Sequence, residues 1–514
     1  MSKTIIIIGA GLAGLSAALQ AAENGCNVKL VSSLPSERAQ SVMAEGGINA
    51  ALNTKDENDS PEEHFTDTIK AACGLADQNA VWGMTQAAPE LVHWLLKLGV
   101  KFNMSGYDDV DLRNFGGQKK KRTAFAQSDT GKQIMTAMID AVRRKEASGM
   151  VERFSNHSFL TLRLCGNICC GCVIRDEYSQ ETVELPGDAV IVATGGMHGL
   201  FGNTTGSLSN TGEVTAELFR LGVPLANGEM IQYHPTTVKC GGKRMLISEA
   251  ARGEGGRLFA MKDGKQWYFM EEKYPELGNL MPRDITAREI WKVSHESEVF
   301  LDMTEISDEI ISNKLSGLAD DCMTYLHKDI RKEPVSVLPG IHYFMGGILV
   351  DEQHRTPIQN LCAAGECCAQ YHGANRLGGN SLLGALYGGR VAAKSACEQA
   401  DVVDLSCATQ IDFPPASQIS EIKQLNKVMQ ETMGVVRNEN TLLNGIQTVQ
   451  ALTGNLPLLG MAVLKSALAR KESRGAHWRE DYPKSNDDDY LKTTVARFDG
   501  KQIQISFVPV PERR

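Results

Sequence analysis

The chain has 514 residues, of which 42% are hydrophobic and 22% are charged, so its composition is that of a globular protein. It carries 53 Lys and Arg against 62 Asp and Glu, and the resulting net charge of −9 argues against a general nucleic-acid-binding surface. The length exceeds what one hydrophobic core supports, and about three structural units are expected.

The first predicted elements form a βαβ unit. The β-branched run at residues 5–8 predicts a buried parallel strand, a helix is predicted over 15–24, and a second strand is predicted over 27–32. Between the first strand and the helix stands a GxGxxG motif, formed by Gly9, Gly11 and Gly14. Its glycines allow a tight turn, the approach of a pyrophosphate and close packing of helix on strand. The unit therefore predicts a Rossmann-like dinucleotide site in an α/β fold.

The end of the second strand and the loop after it bear on the nature of the dinucleotide. Ser32 stands where an acidic residue commonly binds the ribose, and a serine hydroxyl can make the same kind of hydrogen bond. FAD and NAD are both compatible with this motif. Residues 41–48 (SVMAEGGI) then form a loop of small residues with a double glycine, which lets backbone lie against a flat ring system. This loop favours FAD.

Several of the 13 cysteines lie close together and raise the question of a metal site. Cys169, Cys170 and Cys172 fall in a strand predicted over 168–176, where neighbouring side chains point to opposite faces. Cys169 and Cys170 therefore cannot easily converge on one ion, and neither a metal nor an iron–sulfur cluster is expected. Free thiols in this number indicate a reducing compartment. Because glycines interrupt the apolar run 4–22, we expect a cytoplasmic protein without direct membrane insertion.

Four polar clusters further along the chain suit an anionic substrate. They are residues 233–236 (YHPT), 248–256 (SEAARGEGG), 282–284 (PRD) and 342–347 (HYFMGG), joined later by Arg376. An anionic substrate must be held by cationic or hydrogen-bonding side chains. Arginine suits this task because its guanidinium binds a carboxylate through two parallel hydrogen bonds. The clusters are therefore compatible with a site for a carboxylate substrate.

Each cluster taken singly also has a structural interpretation. Arg252 and Glu249 are three residues apart and could form an ion pair on one helix face. Arg283 could belong to a charge cluster at the start of a helix, and either histidine could be a buried loop residue with its hydrogen bonds satisfied. The occurrence of all four clusters in this order favours the functional interpretation.

Several segments together resemble the fumarate reductase/succinate dehydrogenase flavoprotein family, which includes L-aspartate oxidase. The segments are 41–48, 193–196 (ATGG), 365–366 (GE), 375–381 (NRLGGNS), 474–477 (RGAH) and 479–483 (REDYP), so the resemblance covers most of the chain. It implies an FAD-dependent oxidoreductase that passes a hydride from reduced flavin to fumarate, reversibly, to give succinate. Oxidation of L-aspartate to iminoaspartate, or reduction of another unsaturated acid, is the alternative.

The resemblance also implies roles for individual residues. Arg283 would donate the proton, and Glu249 and Arg252 would relay protons to it. An arginine can do this only in a dry site with a carboxylate partner, because its pKa exceeds about 12 in water. The residues expected to contact the substrate are His234, Ser248, His342, Arg376 and Phe115. The residues expected to contact FAD are Gly9, Gly11, Gly14, Ser32, Ser41, Ala44, Gly46, Gly47, Thr194, Glu213, Glu366, Ser381 and Leu382.

Several departures from the family pattern refine these expectations. Gln40 stands where members of membrane complexes usually carry a histidine bonded to the flavin, so non-covalent FAD is expected, and this favours fumarate reduction over succinate oxidation. Phe115 stands where L-aspartate oxidase usually has a glutamate, and Met345 where it tends to have a cysteine; both differences favour fumarate over aspartate. Ser248 replaces the usual threonine but keeps the hydroxyl.

The expected organisation is a Rossmann-like FAD-binding domain in two pieces, 1–230 and 340–400, with an inserted α+β capping domain at 231–339. A C-terminal helical domain is expected at 401–514, with Pro414-Pro415 at its boundary and helices over 417–433, 441–452 and 459–472. No motif for heme, a cluster or a second dinucleotide is visible. Electrons are therefore expected from a partner protein, an iron–sulfur subunit or a redox carrier, or from a soluble reduced flavin. A pure electron-transfer flavoprotein and an NAD-dependent dehydrogenase are the interpretations from other classes.

Overall fold

A parallel five-stranded sheet forms the centre of the part of the chain that carries the dinucleotide motif. The computed structural model describes residues 2–107, 109–399, 413 and 418–513, without the side chains of 243 and 399. In spatial order the strands are Leu361–Ala363, Ala189–Val192, Thr4–Ile8, Asn27–Ser32 and Val151–Ser155. Strands from both ends of the first 400 residues thus belong to one sheet, and the dinucleotide motif follows the middle strand.

Helices cover this sheet because their apolar faces and its buried strands share one core. The motif helix, Leu12–Glu23, begins three residues before the predicted start and is buried along nearly its whole length. It packs on the helix Asn380–Gln399. The other helices of this region are Pro61–Ala71, Gln78–Lys97, Thr130–Ala147 and Glu213–Arg220.

Three smaller sheets complete this region. The strands His157–Cys165, Ile168–Asp176 and Thr182–Pro186 form an antiparallel sheet, in which Ile168–Asp176 has the predicted bounds. A second sheet holds Ile48–Asn49, Thr123–Ala124 and Leu112–Arg113. The third joins Ile231–Cys240, Lys243–Leu246 and Leu338–Phe344. This third sheet carries both histidines of the predicted substrate site, which fixes their relative positions.

Residues between these elements form a separate hydrophobic core around a four-stranded antiparallel sheet. Its strands are Lys265–Trp267, Arg257–Lys262, Val299–Asp302 and Val335–Ser336. The associated helices are Glu249–Gly253, Phe269–Lys273, Arg283–Val293, Asp308–Lys314 and Ser316–Asp321, followed by a π-helical turn at Cys322–Leu326. The mixture of helices and antiparallel strands is the α+β character expected of the inserted domain.

The C-terminal region contains three helices near the predicted positions, Ile419–Thr432, Glu439–Val449 and Asn455–Ala469. The Pro414-Pro415 boundary lies outside the described residues. A short helix, Asp487–Tyr490, precedes a β-hairpin of Lys492–Phe498 and Ile503–Pro509 that the helical expectation did not include. The hairpin extends a sheet with Leu225–Ala226, Gly347–Leu349 and Cys368–Ala369, which anchors the C-terminus to the first region. Among the described helices, none has the length and apolar character needed to cross a bilayer.

Candidate active site

The residues predicted from the sequence to bind cofactor and substrate surround one continuous cavity of about 560 Å³. Gly14 and Arg252 are the exceptions and lie behind its wall. Gly14 packs against the turn, where a side chain would meet the carbonyl oxygen of Gly9 at 1.8 Å. Arg252 stands behind Glu249. The remaining predicted residues line the cavity, which joins a dinucleotide cradle at one end to a cluster of arginines and histidines at the other.

The glycine turn leaves space where a pyrophosphate would lie. Gly9 has a φ of +111°, and a Cβ there would meet the carbonyl oxygen of Ala193 at 2.3 Å, so only glycine fits this turn. A Cβ on Gly11 would meet nothing closer than the Ser41 hydroxyl at 3.7 Å, which leaves this side open to the cavity. The N-terminus of the helix Leu12–Glu23 lies at this open side of the cavity. The Leu12 N–H donates to Ser41 Oγ at 3.3 Å.

Two polar groups mark the far end of the cradle. Ser32 Oγ is buried at the end of its strand without a hydrogen-bond partner in the described part of the chain. Such a hydroxyl is suited to a ribose, and a bound ligand would satisfy it. Glu213 begins the helix Glu213–Arg220 directly after Gly212, whose φ is +86°, and burial raises the pKa of its carboxyl. The cradle therefore fits a dinucleotide.

The double-glycine loop is fixed to the N-terminus of the helix Thr130–Ala147. The Gly131 N–H donates to the Ala44 carbonyl oxygen at 2.7 Å. A Cβ on Gly46 would meet the Phe115 ring at 2.9 Å, and a Cβ on Gly47, at φ +137°, would meet the Ala124 carbonyl oxygen at 2.5 Å. The loop thus presents bare backbone to the cavity because neither glycine has room for a side chain, and this surface fits a flat ring.

Arg283 and Glu249 form the central ion pair of the second half of the cavity. Arg283 Nε and Nη2 donate to Glu249 Oε2 at 2.8 and 2.5 Å. The other oxygen, Oε1, accepts from the Gly116 N–H at 3.1 Å and lies 3.4 Å from Arg252 Nη2. Burial alone would raise the pKa of Glu249, but the guanidinium groups of Arg283 and Arg252 outweigh it and hold the pKa below its ordinary value. The carboxylate is therefore ionised.

Three further groups facing this pair are suited to binding an anion. The rings of His234 and His342 lie with centroids 5.2 Å apart, and burial, assisted by the charge of Arg283, holds both pKa values well below the ordinary range. Both histidines are therefore neutral, and His234 Nε2 is buried and unpartnered among the residues described. Burial lowers the pKa of Arg376 to about 9, and its guanidinium stacks 4.3 Å from the centre of the Tyr343 ring. Arg376 stays cationic near neutral pH.

Ser248 and Phe115 lie at the edges of this pocket. Ser248 is the N-cap of the short helix Glu249–Gly253, and its hydroxyl accepts from the Ala250 N–H at 3.4 Å. Phe115 is only 2% exposed and contributes an apolar wall next to Gly46. Together with the histidines and Arg376, these residues can hold a small, doubly anionic molecule with a nonpolar centre.

Gln232 is a site residue that motif reasoning missed. Its Oε1 accepts from Arg283 Nη1 at 3.1 Å, and its Nε2 donates to the Arg376 carbonyl oxygen at 2.9 Å. It therefore connects the segments that carry the two arginines. The available signal was its position two residues before His234 in one strand, because residues two apart point to the same face.

A dinucleotide cradle that opens beside a buried cationic pocket is the arrangement of an oxidoreductase that uses a dinucleotide cofactor. Residues 4–382 match the family described as "FAD binding domain" and residues 452–513 match "Fumarate reductase flavoprotein C-term". These matches confirm the predicted cofactor type. Within the described residues, no group of three or more His, Cys, Asp or Glu is arranged to hold a metal ion.

Comparisons over the full chain agree with these two matches. The succinate dehydrogenase flavoprotein subunit of Bacillus subtilis is 38% identical, over 100% of this chain and 98% of that protein. The 8-methylmenaquinol:fumarate reductase flavoprotein subunit of Wolinella succinogenes is 32% identical, over 100% of this chain and 92% of that protein. The structure of E. coli quinol fumarate reductase superposes with a TM-score of 0.90 at 27% identity, covering 100% of this chain and 97% of that one. The chain belongs to the fumarate reductase/succinate dehydrogenase flavoprotein family, as its motifs predicted.

Proposed function

We propose that this protein reduces fumarate to succinate, with bound FAD supplying the hydride and Arg283 supplying the proton. The observation that carries the proposal is the Arg283–Glu249 pair, because it places a proton donor and its carboxylate partner side by side in the cationic pocket. Arg283 is 6% exposed and Glu249 is 2% exposed, so bulk water has little access to either. Exclusion of water is what an arginine acid requires.

The pocket opposite this pair would hold the two carboxylates of the substrate. Arg376 contributes a positive charge, and its buried Nε has no partner in the described structure. The neutral rings of His234 and His342 can each donate one hydrogen bond without adding a charge. Gripping one carboxylate strongly draws electron density from the double bond and makes the far carbon electrophilic.

Glu249 would return a proton to Arg283 after each turnover. Its Oε2 accepts two bonds from Arg283, while Arg252 lies 3.4 Å from Oε1 and is held by the Asn279 carbonyl oxygen at 2.7 Å. Arg252 therefore stands behind Glu249, on the side away from Arg283. The row Arg252, Glu249, Arg283 places the three groups in the order of the proposed proton relay.

We favour fumarate over aspartate because the carboxylate beside Arg283 is already paired with arginines and is not available to an α-ammonium group. Glu249, the carboxylate nearest Arg283, is already occupied by two arginines. Phe115 contributes an apolar wall instead of a charge. L-aspartate oxidation to iminoaspartate, and reduction of another unsaturated acid, are the alternative reactions at the same site.

We also propose that FAD is bound without a covalent link and that electrons arrive from a partner protein. Gln40 lines the cavity at the start of the loop 41–48, and an amide is not expected to bond to the flavin. The Bacillus subtilis and Wolinella succinogenes relatives are themselves called flavoprotein subunits. An iron–sulfur subunit or a redox carrier is therefore the proposed partner. The proposed domains are 1–230 with 340–400, 231–339 and 401–514.

An anaerobic experiment tests the proposed reaction and separates it from the alternatives. The flavin of the holoenzyme is photoreduced, fumarate, aspartate or oxaloacetate is added separately, and the return of the oxidised absorbance spectrum is measured. Fumarate is expected to restore the spectrum rapidly and to yield succinate. Reduced enzyme that ignores fumarate, together with oxidised enzyme that aspartate bleaches, would establish the amino-acid oxidase instead.

A further inference from the structure

The hydroxyl group of Thr205 lies against the ring of His342, and the proposed function gives it no role. Thr205 Oγ1 is 2.8 Å from His342 Nδ1, and both residues line the cavity. A neutral imidazole has one nitrogen that donates a hydrogen bond and one that accepts, so the role of Nδ1 decides the role of Nε2. The Thr205 hydroxyl is therefore placed to decide how His342 meets a ligand.

The backbone holds Thr205 beside this ring. The Thr205 N–H donates to the carbonyl oxygen of Ile341, the residue before His342, at 3.0 Å. The preceding peptide is fixed as well, because the Thr204 carbonyl oxygen accepts from the Arg244 N–H at 3.2 Å. The hydroxyl thus keeps its place at His342 Nδ1 through main-chain contacts on both sides.

Two acceptors compete for the single O–H of Thr205. One is His342 Nδ1 at 2.8 Å, and the other is the Ile341 carbonyl oxygen at 3.4 Å. The second contact is the longer one, and its oxygen already accepts the Thr205 N–H at 3.0 Å. The geometry therefore favours a bond in which the hydroxyl donates to a lone pair on Nδ1.

An anionic ligand favours the same direction of the bond. His342 Nε2 makes no hydrogen bond within the described residues, so it is the ring nitrogen left for a molecule in the cavity. With the ring proton on Nε2 it can donate to a carboxylate, whereas with the proton on Nδ1 it presents a lone pair to a negative charge. At pH 8 an imidazole is neutral even at its ordinary pKa of about 6.5, so the ring has only one proton to place.

We propose that Thr205 is a positioning residue whose O–H donates to His342 Nδ1 and so keeps the single ring proton on Nε2, directed at a carboxylate of the substrate. The inference rests on the proposed function, because it takes the bound anion to be a dicarboxylate. Without the hydroxyl, the ring that donates from Nε2 leaves Nδ1 facing the protein with no donor. Substrate binding then carries the cost of an acceptor without a partner.

Binding of fumarate to the oxidised holoenzyme tests the inference without turnover, because oxidised flavin has no hydride to give. The perturbation of flavin absorbance is titrated with fumarate at pH 8. Thr205→Val keeps the shape of the side chain but has no O–H, so the Kd should rise about tenfold, the effect of one acceptor left unpaired. Thr205→Ser keeps the hydroxyl and should bind fumarate nearly as tightly as the parent protein.

Thr286→Val is the matched control. Thr286 is buried, its hydroxyl donates to the carbonyl oxygens of Met281 at 3.0 Å and Pro282 at 3.2 Å, and it does not line the cavity. Its replacement removes a buried threonine hydroxyl away from the histidines and should leave the Kd for fumarate unchanged.

A double-mutant cycle separates action through His342 from a general effect on the pocket. In a His342→Ala background, where binding is weaker throughout, adding Thr205→Val should weaken fumarate binding no further. A Kd for Thr205→Val equal to that of the parent would overturn the inference, and so would a tenfold rise that persists in the His342→Ala background.

Thr205→Cys keeps the inference testable if Thr205→Val retains too little FAD to titrate. A thiol is a weaker donor than a hydroxyl, so this variant should raise the Kd by less than tenfold, and a Kd equal to that of the parent would then overturn the inference. A parent holoenzyme that binds no fumarate at any concentration would instead overturn the proposed function.

Discussion

Arg283 and Glu249 belong to segments 34 residues apart, yet two hydrogen bonds of 2.8 and 2.5 Å join the guanidinium to a single carboxylate oxygen. The arrangement leaves Arg283 Nη1 directed at the neutral Gln232, so one side of the guanidinium faces charge and the other faces the pocket. A carboxylate at this distance can exchange a proton with the arginine directly.

Replacing Arg283 should therefore abolish most of the proposed turnover. Arg283→Lys keeps the positive charge but loses the forked contact with Glu249, and kcat for fumarate reduction should fall about 10²–10⁴-fold, the usual contribution of a positioned acid. The measurement is fumarate-dependent reoxidation of photoreduced enzyme. Fumarate binding to the oxidised form should change much less than kcat.

Arg288→Lys is the matched control for this variant. Arg288 lies on the same helix, Arg283–Val293, but its guanidinium stacks 4.0 Å from the centre of the Trp478 ring and does not line the cavity. Its replacement should leave turnover unchanged. Equal rates in Arg283→Lys and Arg288→Lys would show that Arg283 is not the acid.

Glu249→Gln should change both catalysis and the pH dependence of stability. Because the folded pKa of Glu249 lies below its ordinary value of 4.5, the ionised group stabilises the fold above that pH, and the contribution is lost as pH falls through the folded pKa. The difference in Tm between parent and variant should be largest near neutral pH and should shrink below about pH 4.5. A Tm difference that stays constant with pH would contradict the buried ion-pair role.

Local sequence patterns located much of this site because the cofactor cradle is made of short contiguous motifs. Gly9 and Gly47 could be predicted from the sequence because each stands in a short motif, where a tight turn or a close backbone contact leaves no room for a side chain. The substrate pocket is different in kind. Glu249 receives a hydrogen bond from Gly116, 133 residues away, and no local period encodes such a contact. The roles expected of the pocket residues therefore came from the resemblance to a family and not from their spacing in the sequence.

Two features were not predicted from the sequence, each for its own physical reason. Gln232 belongs to no motif, and only its same-face relation to His234 could have indicated it. The hairpin of Lys492–Phe498 and Ile503–Pro509 follows three helices, and their apolar spacing led to the prediction that the whole C-terminal region is helical. Its second strand alternates half-buried and exposed residues over its first five positions, and Asp499-Gly500 marks the turn, so the sequence does carry a period-two signal for a strand here.

The flavin should be released when the protein is denatured. Gln40 lines the cavity beside the loop 41–48, and its amide is not expected to form a covalent bond to the cofactor. Precipitation of the holoenzyme with acid should therefore leave FAD in the supernatant, where its absorbance equals that of the intact protein within the recovery of the procedure. Yellow colour retained in the washed pellet, or flavin fluorescence on a denaturing gel, would show a covalent link.

Substituting the double glycine should weaken FAD binding more than a glycine elsewhere. In Gly47→Ala the new Cβ would meet the Ala124 carbonyl oxygen at 2.5 Å, at a φ of +137° that alanine rarely adopts. Such backbone strain costs about 1–3 kcal/mol, and its relief requires the loop to shift. The Kd for FAD, measured by quenching of flavin fluorescence, should rise by about 10-fold or more. Gly242→Ala is the control, because a Cβ there meets nothing within 4 Å and its φ lies outside the positive range. If both variants bind FAD as tightly as the parent, the loop 41–48 does not form the surface on which the flavin ring rests.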